Sequence, residues 1–383
     1  MNKLLIFSIV LAVAACGSKK QSDGASQTRD FSFSLDTVRI DAGEDFIHVN
    51  WNLMASDLTS DGRYLYNFRT GASEPALELI NLESGKLEKV IPISLDGPNR
   101  IRSPYISQVY PQDDGNFFLS DGYELCLFDQ AGTKLFALSY AEHDFEGEKL
   151  PADMRITLQE TLSSDGETLV TLYGDQALEK SPFGVAVFDL EKRQFTYTPL
   201  DVFRELDPYR VSIYRDGMAV GGKFAAIRLM LKNDSLIFSN SAKNEVGFYD
   251  LKADSLSKKR FSSQYTSSEA TPNASNRVET DQEYEQLLKK TNQDVTYGRF
   301  FFDEQNQVYW RFAKEMDRMT GDSEVYKTVL TAFDPDFNQL SEKLLSEDFV
   351  LPSKYFVRNG MIYTFLNEED EVAFVRIIPE FGS

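Results

Sequence analysis

Along most of the chain apolar and polar residues alternate in short runs, and each run ends in a small group of Asn, Asp or Gly residues. Alternation with period two puts every second side chain on one face, so these runs predict half-buried strands joined by tight hairpins. The turns recur. Ser60-Asp61-Gly62 is echoed by Asp113-Asp114-Gly115, Ser164-Asp165-Gly166, Asn233-Asp234-Ser235, Gln305-Asn306-Gln307 and Arg358-Asn359-Gly360, with steps of 53, 51, 69, 72 and 53 residues between central positions. Each turn is followed at once by an apolar run, from Tyr64-Leu65-Tyr66 to Met361-Ile362-Tyr363. A second run then ends four times in an aromatic residue and Asp: Phe128-Asp129, Phe188-Asp189, Tyr249-Asp250 and Phe333-Asp334. After another short turn comes a further strand. With the strand ahead of the repeated turn, that makes four strands per unit.

A single four-stranded sheet cannot cover both its faces, so repeats of this size predict an all-β, six-bladed β-propeller. The last unit runs out one strand short after residues 371–379, while Phe31 to Ile40 alternates cleanly and belongs to no unit. Pairing that N-terminal strand onto the last blade is expected to close the ring and remove an open edge. Between residues 261 and 298 the strand rhythm breaks. There Thr280-Asp281-Gln282-Glu283 is a capping box ahead of Tyr284, Leu287 and Leu288, which predicts a short helical insertion between blades 4 and 5.

The first residues read as an address. Lys3 is followed by an apolar run from Leu4 to Val13, and Ala14-Ala15-Cys16 has the form of a lipobox. The run is too short to span a bilayer, which takes roughly 20 residues. Residues 1–15 are therefore expected to be a lipoprotein signal peptide, and Cys16 the lipidated residue that anchors the chain to a membrane. The polar residues of 16–29 would form a flexible tether, leaving 30–383 as one folded domain. Gly17 and Ser18 stand where an aspartate is associated with inner-membrane retention, so the cell envelope, and its outer membrane, is the expected location.

The formal charge is −20. That field opposes nucleic acid and anionic head groups as partners. Of the two cysteines, lipidation consumes one, and Cys126 in an apolar strand is read as a small buried hydrophobe. The only histidines are His48, in an alternating run read as strand, and His143, in an acidic loop read as exposed. No G-x-S-x-G elbow occurs, so a nucleophile–base pair would have to use one of those two histidines. Neither a catalytic residue, a metal site nor a cofactor is assigned.

Lipobox, polar tether, Leu35-Asp36-Thr37-Val38, the repeated hairpins and the segment Leu95-Asp96-Gly97-Pro98-Asn99 together resemble a family of bacterial lipoproteins of unknown function grouped with six-bladed TolB-like propellers. The resemblance implies the propeller fold for nearly all of residues 30–383. It implies no activity.

Candidate binding residues come from two connections between blades. The first, 96–110, carries Asn99, Arg100, Arg102 and Tyr105; the second, 201–217, carries Arg210, Tyr214 and Arg215. Arg and Tyr are enriched at binding hot spots, and both loops concentrate them in an acidic chain. The preferred reading is a non-catalytic propeller that binds a protein, peptide or glycan. The alternative is a calcium-dependent hydrolase or lactonase with its site in the propeller channel, drawing on Asn50, Asn52, Gln108, Gln159 and Glu160. Asp334-Pro335-Asp336-Phe337-Asn338 has EF-hand-like spacing, but Gln339 and Leu345 stand where glycine and glutamate are required, and a hairpin turn is the better account.

Overall fold

The structure, a computed structural model, describes residues 29–382 apart from 178, 348, 350, 352, 369 and 370. The leader, Cys16 and the tether up to residue 28 lie outside the described residues. What is described is an all-β fold of many antiparallel sheets.

Five sheets take four strands each in chain order. Their first strands are Ser56–Leu58, Gln108–Pro111, Met154–Leu162, Ile227–Lys232 and Thr296–Asp303. The third of these gains a two-residue parallel strand, Glu146–Gly147, at its edge. A sixth sheet has Tyr355–Arg358, Met361–Glu368 and Glu371–Phe381, and its fourth strand is Phe31–Arg39, antiparallel to Glu371–Phe381 with Phe31 opposite Phe381 and Arg39 opposite Ala373.

All six repeated turns lie between the first and second strands of a sheet. The chemistry of the turn explains the repeat. The Asp61 carboxylate accepts hydrogen bonds from Thr59 Oγ1 and Arg63 N, and Asp165 does the same with Ser163 Oγ and Glu167 N. Such side chains mimic a backbone turn and leave the next residue left-handed, as Gly62 and Gly166 are. The aromatic-Asp pairs close the later hairpins: Asp250 accepts from Lys252 N and Ala253 N, and Asp334 from Asp336 N and Asn338 N. Asp334 thus caps a turn.

Middle strands are buried on both faces, as in Phe117–Ser120, whereas last strands such as Ser255–Arg260 are largely exposed. A sheet packed between two others must be apolar on both sides. Tyr66, Phe68 and Leu77 of the first sheet pack on Phe117 and Phe128 of the second. Phe118 and Leu125 then meet Leu169 and Phe188 of the third, and Val170 and Leu172 meet Leu236 and Tyr249 of the fourth. Ile237 and Val246 meet Phe300 and Tyr309 of the fifth, and Trp310 and Leu330 meet Ile362 and Ile377 of the sixth. Tyr363, Phe365 and Phe374 of the sixth sheet pack on Leu65 and Ile80 of the first.

The helix Asp281–Gln293 begins at the expected capping box, with Glu283 N donating to Thr280 Oγ1. The preceding connection holds structure that the strand pattern did not anticipate. Asp201–Tyr209 is a 3-10 helix, and Val211–Arg215 pairs with Met218–Lys223 and Arg277–Val278 in a seventh, three-stranded sheet. Lys223 Nζ ties that sheet to the helix through Thr291 Oγ1, at 2.7 Å. Among the described residues no helix is long and apolar enough to cross a membrane.

Candidate functional site

Exposed Trp51, Tyr105 and Tyr123 share a surface assembled from three sheets, and the buried Glu78 carboxylate fixes the segment before Trp51. Glu78 has no exposed side-chain surface. It accepts from Arg69 Nε at 2.7 Å, from Asn67 Nδ2 at 2.7 Å and from His48 N at 3.1 Å. Asn67 Nδ2 also donates to His48 O, at 2.8 Å. A buried charge held this way fixes whatever donates to it. Here it fixes residues 46–49, which are irregular backbone and not the strand their alternation predicts, because Glu78 takes the His48 amide that a strand would pair.

The chain then turns through Trp51, Asn52 and Leu53, all left-handed, with φ of 53°, 53° and 59°. For residues with a Cβ that conformation costs roughly 1–2 kcal/mol each, and it persists where neighbours over-determine it. Leu53 is fully buried and its carbonyl accepts from Ser56 Oγ at 2.6 Å. Trp51 is thereby turned outward, 48% exposed, and stacks on Tyr105, 57% exposed, with ring centroids 6.0 Å apart and planes at 21°.

Tyr105 is placed by the first connection. Ile101 and Ile106 are its buried anchors, and the Pro104 carbonyl accepts from Gly71 N at 2.8 Å. Gly71 is left-handed, and a Cβ there would meet the Tyr105 ring at 3.1 Å, so the close approach needs glycine. Arg102 reaches the second sheet, donating from Nε to Asp121 Oδ2 at 2.9 Å and lying 4.6 Å over the Tyr123 ring. Arg155 of the third sheet lies 5.4 Å over the same ring, and Leu158 packs at Gly122. Arg100 is exposed, whereas Asn99 is structural, its Oδ1 accepting from Lys134 N.

The second connection does not join it. Arg210 donates to Lys180 O and its burial lowers its pKa. Tyr214 lies under the Arg277 guanidinium, 3.8 Å away, and Arg215 pairs with Asp281 of the helix. These three side chains serve the seventh sheet and its contacts. Sequence reading missed Trp51, Tyr123, Arg155 and Glu78; the one local signal was Trp51 flanked by Asn50 and Asn52 at the end of an alternating run.

Glu160 is buried beside this surface, on the strand of Arg155 and next to Ser120 and Asp121. Tyr140 OH donates to its Oε2 at 2.6 Å and Tyr110 OH to its Oε1 at 3.3 Å, and burial pushes its pKa up to about 7. Gln159 lies in the bulged stretch just before it, Gln108 is exposed at the start of its strand, Asn52 is in the left-handed turn, and the Asn50 side chain lies outside what is described. Among the described residues no three His, Cys, Asp or Glu side chains converge on a common point that could hold a metal ion. His143 is not exposed as expected: its ring packs on Phe145, Phe188 and Phe195, and burial lowers its pKa. Cys126 is buried, and its thiol is pushed up to about 12.

A domain family of unknown function, DUF4221, matches residues 28–344. The chain belongs to the DUF4221 family. The crystal structure of a DUF4221 member from Bacteroides vulgatus superposes with a TM-score of 0.65 at 15% identity, over 94% of this chain and 99% of that one. At that identity the likeness speaks for the fold, all-β and propeller-like. Less similar are a luciferin-regenerating enzyme, with a TM-score of 0.43 at 11% identity over 90% of this chain and 95% of that one, and U3-55K, at 0.44 and 10% over 89% and 98%. No curated protein sequence matches this DUF4221 chain.

Proposed function

We propose that this DUF4221 protein is a non-catalytic binding module, held on the outer membrane by a lipid on Cys16, that recognises a protein, peptide or glycan through the surface of Trp51, Tyr105, Arg102, Tyr123 and Arg155. Its folded part is proposed to be a six-bladed propeller closed by the N-terminal strand. That closure is supported by the succession of apolar clusters, which leads from the first sheet through each neighbour and back to the first.

The observation that carries the binding proposal is the Trp51–Tyr105 stack. Two large rings are left in water, Trp51 on a backbone that costs energy to hold, next to a segment fixed by the buried Glu78 carboxylate. Exposed aromatic area that is already ordered binds without a large entropic penalty, and the flanking arginines add charge-assisted contacts. The calcium-dependent hydrolase reading has less support, because Glu160 is engaged by two tyrosines.

The test is capture from envelope extracts and from a glycan array by the full chain, compared with Trp51→Ala and Tyr105→Ala. Loss of the captured species in both variants, with unchanged melting temperature, is expected. Equal capture by both variants would remove this surface from consideration.

A further inference from the structure

The first strands carry a second feature, unrelated to the aromatic surface. Arg228 lies in Ile227–Lys232, Arg299 in Thr296–Asp303, and Lys354 immediately precedes Tyr355–Arg358. These are the first strands of the fourth, fifth and sixth sheets, and the last two are in contact. Three cations thus stand on three successive sheets of a chain whose net charge is −20.

Tyr355 links them. Its hydroxyl accepts from Arg299 N at 3.0 Å, its carbonyl accepts from Arg299 Nη2 at 2.5 Å, and its ring lies 5.3 Å from the Arg299 guanidinium. A Cβ at Gly298 would meet the Tyr355 hydroxyl at 2.5 Å, so the glycine makes room for this approach. Lys354 Nζ donates to Ser56 O, and Asp57 Oδ1 is 4.0 Å away. Among the described residues Asp57 is the one carboxylate at ion-pair distance from any of the three, and none stands that close to Arg228 or Arg299. The Arg228 side chain makes no hydrogen bond to a described residue. Arg228 is exposed, and its pKa is lowered by desolvation and by repulsion from Arg299, against the pull of Tyr355. The same two effects bring Lys354 down to about 8.

Clustered, poorly compensated cations are a standing cost to the fold, and an anion between them relieves it. Two guanidinium forks and one ammonium offer planar, bidentate donors plus a point charge, which suits a compact dianion with several acceptor oxygens. We propose that Arg228, Arg299 and Lys354 form a binding site for a small anion of the phosphate class, either free phosphate or a phosphate monoester. The site does not depend on the aromatic surface, and either assignment can fail alone.

The experiment is titration of the full chain with inorganic phosphate and, separately, with glycerol phosphate, followed by calorimetry and by the melting temperature against chloride of equal ionic strength. Saturable binding is expected, with a rise in melting temperature that chloride does not reproduce. Arg228→Gln and Arg299→Gln should each weaken binding by about tenfold or more, as loss of a charged hydrogen-bond partner does. Arg228→Gln removes no described hydrogen bond, so it should fold and isolate the effect. Trp51→Ala should bind phosphate as the parent does. Tighter binding of glycerol phosphate would assign the site to a monoester, and tighter binding of phosphate to the free ion. No saturable binding of either, or parental affinity in Arg228→Gln, would overturn the proposal.

Discussion

Asp36 and Arg376 are 340 residues apart in sequence and directly opposite in the sixth sheet, where Arg376 donates from Nε to Asp36 Oδ1 at 2.7 Å and from Nη2 to Oδ2 at 2.5 Å. The pair sits on the two strands that join the start of the domain to its end. Around it, Phe31 packs edge-on against Trp310 and Lys343 pairs with Asp30.

Arg376 holds the Asp36 carboxyl below its usual value of 3.8. A carboxyl lowered in the folded state contributes stability that is present above its unfolded pKa and lost as pH falls through the lower folded value. Both side chains are partly exposed, so the contribution of the pair is modest, about 1 kcal/mol or less. Asp36→Asn should therefore melt slightly lower than the parent at pH 7 and at the parent's temperature near pH 2. Deleting 31–40 removes the whole strand, including buried Phe31, and should cost several kcal/mol on the order of a lost strand. Deleting 17–28 should leave the melting temperature unchanged. Equal melting of the two deletions would argue against closure by this strand.

Glu160 makes the opposite pH prediction. Burial raises its carboxyl from 4.5 to about 7 against the hydrogen bonds of Tyr140, Ser120 and Tyr110, which lower it. Stability linked to the protonated carboxyl is fully present below pH 4.5 and is lost as pH rises through about 7, a difference on the order of 3 kcal/mol. Glu160→Gln keeps an acceptor for Tyr140 and cannot ionise. Its melting temperature should change less than the parent's between pH 5 and pH 8, and a parallel pair of profiles would contradict the assignment.

Glu78→Ala should destabilise by about 3 kcal/mol, because it strands Arg69 and the Asn67 amide around a vacated buried site. It should also release residues 46–53. Faster amide exchange at His48, measured against Cys126 in a distant strand, would report that release; unchanged exchange would mean that Glu78 does not hold the turn.

Cys16→Ala should move the protein from the membrane pellet to the soluble fraction or leave it unprocessed, since stable attachment takes more than one acyl chain and both would be lost with the thiol. Normal processing with an unchanged pellet would rule out the lipid anchor.

Hairpins were legible because their chemistry is local: Asp61, Asp165 and Asp250 cap turns with donors two or three residues away. The capping box at Thr280 was legible for the same reason. The seventh sheet was not, since Val211–Arg215 takes its parallel partner Arg277–Val278 from beyond the entire fourth sheet. The two long steps between repeated turns, 69 and 72 residues, held its material without revealing its pairing. The binding surface divides along the same line. Arg102 and Tyr105 were visible as residue types in a connection, but only the fold brings them to Trp51, Tyr123 and Arg155. It also spends Arg210 and Arg215 on the seventh sheet and helix. Arg102 is itself half structural, because Asp121 beneath it has only 4% of its side chain exposed, so Arg102→Ala should lower stability as well as binding.

The most direct test of the binding proposal is quantitative capture of the envelope or glycan ligand by Trp51→Ala, Tyr105→Ala and Arg215→Ala beside the parent, with melting temperatures for all four. Arg215 pairs with Asp281 at the exposed surface of the second connection and serves as the control. The account predicts at least about tenfold weaker capture for Trp51→Ala and Tyr105→Ala, the loss typical of hot-spot aromatics, with parental capture by Arg215→Ala and melting within about a degree throughout. Parental capture by Trp51→Ala together with loss in Arg215→Ala would contradict it.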